Sequence, residues 1–114
     1  MLDRETPFGV IHEFTSREMG ARQANIAMVT LWGPDVLHYH EEAEETYFCL
    51  RGAGKIFLEN RLFLFLPGQR IIIPPGTLHA SRPLKTTGIV EFLCVSSPAF
   101  DPKDVYEDPR GWSW

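Results

Sequence analysis

Nine glycines and nine prolines cut this 114-residue chain into short pieces, and the pieces read as strands. Gly33-Pro34, Pro67-Gly68 and Pro74-Pro75-Gly76 are turn signals with a backbone cause, since proline presets φ and glycine accepts φ > 0. Between them lie runs of β-branched, aromatic and leucine residues: Ile26 to Trp32, Val36 to His40, Thr46 to Leu50, Lys55 to Leu58, Leu62 to Leu66, Arg70 to Ile73 and Ile89 to Val95. Glu59-Asn60-Arg61 reads as a hairpin turn between two of these runs. The one helical signal is brief: Thr15-Ser16-Arg17-Glu18 resembles a capping box, with Gly20 ending a single turn. Seven or so short strands at regular spacing predict an all-β domain, a sandwich or barrel, spanning residues 1–114. The tail from 97 to 114 carries three prolines and two tryptophans and is expected to form an extended arm.

At 44% hydrophobic residues the chain can build a core without disulfide or metal staples. Fifteen acidic residues against eleven basic ones leave a net charge of −4. That argues against a protein held to nucleic acid or to an anionic membrane by a basic face. No window approaches the 18 or more apolar residues of a membrane span, and MLDRETPFG is too polar for a signal peptide. A cytoplasmic location is therefore expected. Cys49 and Cys94 sit in apolar strand-like runs and are expected to remain free thiols that pack as small hydrophobes.

The four histidines are His12, His38, His40 and His79. Residues two apart on an extended strand point to the same face, so His38 and His40 present two imidazoles side by side. Glu45 opens the next strand after the acidic loop Glu41 to Glu44, and an antiparallel neighbour can bring its carboxylate to the same point. His79 leaves a turn stiffened by Pro74-Pro75-Gly76. Three neutral imidazoles and a carboxylate suit one divalent transition metal ion (iron, manganese, nickel, cobalt or zinc) and leave coordination positions open for substrate. Glu44 is the rival carboxylate, but strand alternation turns it outward. His12 has no such context and is expected at the surface or an interface.

Gly33, a four-residue spacer, His38-Tyr39-His40, four residues, Glu45, six residues and Gly52 resemble the first motif of the cupins. Gly68, five residues, Pro74-Pro75-Gly76, two residues and His79 resemble the second, and fifteen residues separate the two. The spacer after Gly33 is one residue shorter than the family's pattern, and Pro83 stands where the second motif often ends in Asn. The resemblance, to a small single-domain metal-binding cupin of the conserved-barrel type, implies a jelly-roll β-barrel, or double-stranded β-helix. It also implies that His38, His40, Glu45 and His79 bind the metal. Its functional menu includes dioxygenases, decarboxylases, lyases, isomerases and cyclases acting on a small molecule inside the barrel. A non-catalytic sensor that holds a small ligand and a structural metal is the alternative. Fold does not choose among these. The family's habit of pairing, and the apolar load of Phe100, Tyr106, Trp112 and Trp114, lead to the expectation of a homodimer.

Tyr47 and Cys49 alternate with Glu45 and are expected to face inward, with Tyr47 a candidate to hydrogen-bond substrate or serve as an acid/base group. On the last strand Phe92 and Cys94 share one face, and Glu91, Leu93 and Val95 the other; periodicity leaves open which is inward. Arg70 and Arg82 flank the second motif as candidates to meet an anionic substrate or as solvated rim residues.

Overall fold

Two antiparallel sheets face one another in the computed structural model, which describes residues 2–110. The first has six strands in the order β1-β2-β3-β10-β5-β8 and the second five in the order β11-β4-β9-β6-β7. In chain order the strands are β1 Leu2–Thr6, β2 Gly9–Glu13, β3 Asn25–Leu31, β4 His38–Tyr39, β5 Glu44–Gly52 and β6 Gly54–Leu58. They continue as β7 Arg61–Phe65, β8 Arg70–Ile73, β9 His79–Pro83, β10 Val90–Ser97 and β11 Tyr106–Glu107. Among the described residues no helix is long and apolar enough to cross a membrane.

Local chemistry accounts for the turns. Leu58 pairs with Arg61 across a two-residue loop in which Glu59 and Asn60 have φ of 44° and 67°. Positive φ at both central residues matches the right-handed twist of a tight hairpin. Gly52 ends β5 at φ 72°, and a Cβ there would lie 2.1 Å from the Ile89 carbonyl oxygen. Only glycine fits, because two backbones cross where β5 passes to β6.

The core is laid down by strand alternation. Leu31, Tyr47, Cys49, Ile56, Phe65, Ile73, Val90 and Phe92 form one buried cluster. Along β10 the inward side chains run Val90, Phe92, Cys94 and Ser96; the first two belong to the core and the last three line a cavity. The sandwich is thus packed at one end of its strands and open at the other.

Several expectations need correction. Residues 2–13, outside the predicted strands, form the β1–β2 hairpin at the edge of the first sheet, turning at Pro7-Phe8 between paired Thr6 and Gly9. Residues 79–83 form β9. The Val36 to His40 strand contracts to His38–Tyr39. The predicted helical turn is a 3-10 turn at Arg17–Met19, capped by Ser16 and not Thr15, with Gly20 in the left-handed conformation at its end. The described part of the arm holds a second 3-10 turn, Pro102–Asp104, and β11. Trp112 and Trp114 lie outside the described residues.

Candidate metal centre

Three strands position the four side chains. β4 supplies His38 and leads directly into His40, β5 supplies Glu45, and β9 supplies His79. His38 and His79 are cross-strand partners, so the strand that carries the second motif lies against the strand that carries the first. The turn between β8 and β9 is tied to the same place: the Gly76 amide donates to the His40 carbonyl at 2.6 Å. One ligand atom from each of His38, His40, Glu45 and His79 lies within 4.8 Å of the others. Glu44, the rival carboxylate, is exposed, while Glu45 is buried.

The three imidazoles are oriented alike. His38 Nδ1 contacts the Val36 carbonyl at 2.6 Å, His40 Nδ1 the Asp104 carbonyl at 2.8 Å, and His79 Nδ1 the Thr77 carbonyl at 2.8 Å. A carbonyl oxygen can only accept, so each Nδ1 carries the proton and each Nε2 keeps its lone pair. Glu45 Oε1 sits 3.0 Å from His40 Nε2 and 3.2 Å from His79 Nε2. All three of these buried atoms lack a hydrogen-bond partner. Three acceptors face one point and need a shared cation or proton between them, so the donor set fits a divalent transition metal. These four residues could hold one.

Electrostatics agree with the geometry. Burial, and then the neighbouring His79, push His38 down to about 4, which keeps it neutral near pH 7. His40 is pushed down by burial, but the adjoining Glu45 carboxylate outweighs this and raises it. Burial pushes Glu45 up, yet its contacts with His40 and His79 win and hold it well below the usual carboxylate range. Glu45 is therefore ionised.

Around this cluster opens a cavity of about 1030 Å³ between the β1–β2 hairpin and the C-terminal arm. Tyr47, Phe92 and Cys94 line it, which settles the open question on β10: Phe92 and Cys94 face inward. The Cys94 thiol donates to Glu45 Oε2 at 3.3 Å, and Tyr47 also hydrogen-bonds Glu45. Burial, followed by the Glu45 charge, raises both groups well above their ordinary values. Each stays protonated near neutrality and acts as a donor. Cys49 is buried deeper, with its thiol 3.9 Å from the Phe65 carbonyl oxygen; both cysteines are free.

The remaining candidates fall elsewhere. Glu91 is on the outer face, bonded to Thr30 at 2.8 Å and Arg51 at 3.0 Å. Arg70 and Arg82 do not line the main cavity; Arg4 does, paired with Glu13 at 2.8 Å and lying 4.8 Å over the Phe100 ring. His12 pairs with Asp3 at the sheet edge. Phe100 packs beside His40, and Tyr106 stacks on Tyr39.

Three residues at the site had no sequence signal strong enough to single them out. Asp35, inside the spacer of the first motif, lines the cavity with Oδ2 3.8 Å from His38 Nδ1. Burial raises it to about 7, opposed by His79 and by the Val36 amide. Asp104 reaches the site from the arm, and Arg4 from the unrecognised first strand.

No protein-family profile matches the chain. Two relatives of uncharacterised function match part of it. One, from Aquifex aeolicus, is 34% identical over 70 residues, which is 61% of this chain and 56% of that protein. The other, from Methanocaldococcus jannaschii, is 33% identical over 78 residues, 68% of this chain and 62% of that protein. The chain thus spans about three fifths of the length of either. Among solved structures, Streptomyces Pac13, a nucleoside dehydratase, superposes with a TM-score of 0.80 at 15% identity over 94% of this chain and 83% of that one. Oxalate decarboxylase from Bacillus subtilis superposes with a TM-score of 0.78 at 22% identity over 93% of this chain and 29% of that one. The Lactobacillus farciminis oxalate decarboxylase gives 0.79 at 21%, over 94% and 33%. At such identities the likeness establishes the fold, which is the expected cupin barrel.

Proposed function

We propose that this chain, a barrel of the cupin fold, is a divalent-metal-dependent enzyme that acts on a small organic molecule inside its cavity. The observation that carries the reading is the trio of unpartnered buried atoms, His40 Nε2, Glu45 Oε1 and His79 Nε2, beside a large cavity. His38, His40, Glu45 and His79 would hold the ion. When bound, it would supply Lewis-acid polarisation of a substrate oxygen.

The chain's own groups favour proton-transfer chemistry, as in a lyase, isomerase or decarboxylase, over an oxygenase. Asp35 faces the cavity with a carboxyl that burial raises to about 7. A dication nearby pulls such a group back toward acid, so in the loaded site Asp35 is a carboxylate suited to take a proton from substrate. Tyr47, held protonated, orients Glu45 by donating to it. Phe8, Leu31, Phe92 and Phe100 line the cavity and shed water from the apolar part of a ligand.

Charge bears on the substrate class. Glu5, Glu13, Asp35, Glu45 and Glu107 line the cavity against Arg4, whose guanidinium is already engaged by Glu13. This balance favours an uncharged or cationic molecule over a small dianion of the oxalate kind. An uncharged, hydroxyl-bearing ring of the sort handled by a nucleoside dehydratase fits that preference.

The expected homodimer is also proposed, supported by a row on the outer face of the first sheet where exposed Ile26 and Val95 pair on β3 and β10 and exposed Ile72 on β8 follows beyond Thr46 of β5. Sedimentation of the chain at micromolar concentration reads it directly.

The test of function is metal content by plasma mass spectrometry on untagged protein, beside His38→Ala. One equivalent of a transition metal, lost in the variant, supports the enzyme reading. No metal in either, even after reconstitution, overturns it and leaves a ligand-binding barrel.

A further inference from the structure

The segment 37–43 carries two of the four metal-facing side chains, yet few sheet bonds hold it: besides the Gly76 amide on the His40 carbonyl, its ladder contact with the barrel is short. β4 is two residues long and meets β9 through the single pair His38 and His79. Beyond it the backbone of Glu41, Glu42 and Ala43 turns through the acidic loop with three successive N–H groups pointing the same way. What they meet is the Asp104 carboxylate. Oδ1 accepts from Glu41 at 2.8 Å, and Oδ2 accepts from Glu42 at 3.2 Å and from Ala43 at 3.2 Å. The main-chain oxygen of the same residue holds His40 Nδ1 at 2.8 Å.

The rest of the arm grips the same segment from its other end. Tyr106 pairs with Tyr39 and Glu107 with His38, and the Asp108 amide donates to the Leu37 carbonyl at 2.8 Å. The 3-10 turn that presents Asp104 is itself capped by the Asp101 side chain, which accepts from the Lys103 amide at 2.9 Å. A residue 61 to 63 positions away in sequence thus serves as the cap for the loop that ends the His-x-His pair, and also fixes one imidazole.

We propose that Asp104 is a positioning residue of the metal centre, and that docking of the arm and binding of the metal strengthen one another. The inference rests on the reading that His38, His40, Glu45 and His79 hold a divalent ion. With the three amides bonded, the loop presents His40 and Glu45 at fixed separation, and the Asp104 carbonyl sets the tautomer and the ring plane of His40. The Asp104 carbonyl is a partner of the kind worth 10- to 100-fold in metal affinity, and it is the carboxylate, through its bonds to the three amides, that holds this carbonyl in register with His40. Because coupling free energies are reciprocal, an ion that prefers the docked arm must also hold the arm down.

The experiment titrates zinc into the metal-free full chain by calorimetry, for the wild type, Asp104→Ala and Asp104→Asn. Hydrogen exchange at residues 41–43 is followed with and without zinc. The expected result is a 10- to 100-fold loss of zinc affinity in Asp104→Ala and an intermediate loss in Asp104→Asn, which keeps one acceptor oxygen. Zinc should slow exchange at 41–43 in the wild type by far more than in Asp104→Ala, a difference that a merely structural role would not produce. If Asp104→Ala fails to fold without metal, Asp104→Asn decides alone. Affinity within twofold of wild type in the folded variants overturns the proposal. Failure of the wild type itself to bind zinc, nickel or manganese overturns the metal reading and this proposal with it.

Discussion

His38 on β4 and His79 on β9 stand directly opposite one another, the one rung between those strands, with ring centroids 4.3 Å apart. Two of the four residues that would hold the metal are therefore also the pair that joins β4 to β9 and, through it, to β6 and β7. Metal binding and the integrity of this corner of the barrel share the same residues.

Stability should accordingly follow metal occupancy. An ion that binds the folded barrel and not the open chain contributes about 2.7 kcal/mol at a hundredfold excess over Kd. For a chain of this size each kcal/mol moves the melting temperature by about 4–8 °C. Chelation of the loaded protein should lower Tm by at least about 10 °C, while metal-free His38→Ala should not respond to chelator. Calorimetric scans with and without EDTA check this.

Asp35 and His38 bias the pH dependence of the metal-free protein in opposite senses. His38 is lowered to about 4 in the fold, so between pH 6.5 and 4 the unfolded chain takes up its proton first and stability falls as pH falls. Asp35 is raised to about 7, so the fold keeps a proton that the unfolded chain releases near 3.8, and stability falls as pH rises from 4 to 7. The two slopes oppose. Asp35→Asn removes one, and its unfolding free energy should gain about 1.4 kcal/mol per pH unit relative to wild type between pH 4 and 6.5. Urea titrations across that range measure it; parallel curves for the two proteins would contradict the raised carboxyl.

Tyr47→Phe isolates the hydroxyl, because the ring keeps its packing 4.5 Å from Phe92. Loss of one hydrogen bond to the ionised Glu45 should cost about 1–2 kcal/mol in urea denaturation. Metal affinity should drop less than in His38→Ala, since the Cys94 thiol still donates to the same carboxylate.

Glu13→Gln should change what the cavity accepts. It removes the carboxylate that engages Arg4 at 2.8 Å without changing side-chain shape. Calorimetry of the metal-loaded protein should show oxalate binding at least about tenfold tighter in the variant than in wild type, with uridine affinity changed little. Equal oxalate affinities would remove Arg4 and Glu13 from substrate selection.

Gly52→Ala and Gly20→Ala separate two costs of replacing a left-handed glycine. At Gly20, φ 106°, a Cβ meets nothing within 4 Å and the penalty is backbone strain alone, about 1–2 kcal/mol. At Gly52 the Cβ would lie 2.1 Å from the Ile89 oxygen, so the β5–β6 crossing must shift as well. Gly52→Ala should lose at least twice the stability of Gly20→Ala in thermal melts.

The strands legible beforehand were those whose side chains say where they go. Ile26 to Trp32 and Thr46 to Leu50 are rich in β-formers because they lie in the middle of the first sheet, with β3 between β2 and β10 and β5 between β10 and β8. β1, at the edge, has a single apolar residue in five (Leu-Asp-Arg-Glu-Thr), and β2 beside it has two adjacent ones (Gly-Val-Ile-His-Glu), so neither shows the period-two alternation that marks a half-buried strand. β9, His79–Pro83, is buried by its neighbours and not by its own hydrophobicity, with Ala80 and Ser81 inaccessible.

Sequence by itself determined an all-β domain of short strands through short-range rules, and its resemblance to the two cupin motifs pointed to the barrel and to the four candidate ligands. Glycine and proline punctuation sets strand length, period-two alternation turns His38 and His40 one way and Glu45 inward, and a rigid turn delivers His79. Tertiary structure alone decided what surrounds them. Asp104, Arg4 and Phe100 come from the two ends of the chain, dozens of residues from the motifs, and no local pattern encodes a contact across that separation. The face that β10 presents, the pairing of Arg4 with Glu13, and the loop cap supplied by Asp104 exist only once the two sheets close and the ends fold back across the cavity.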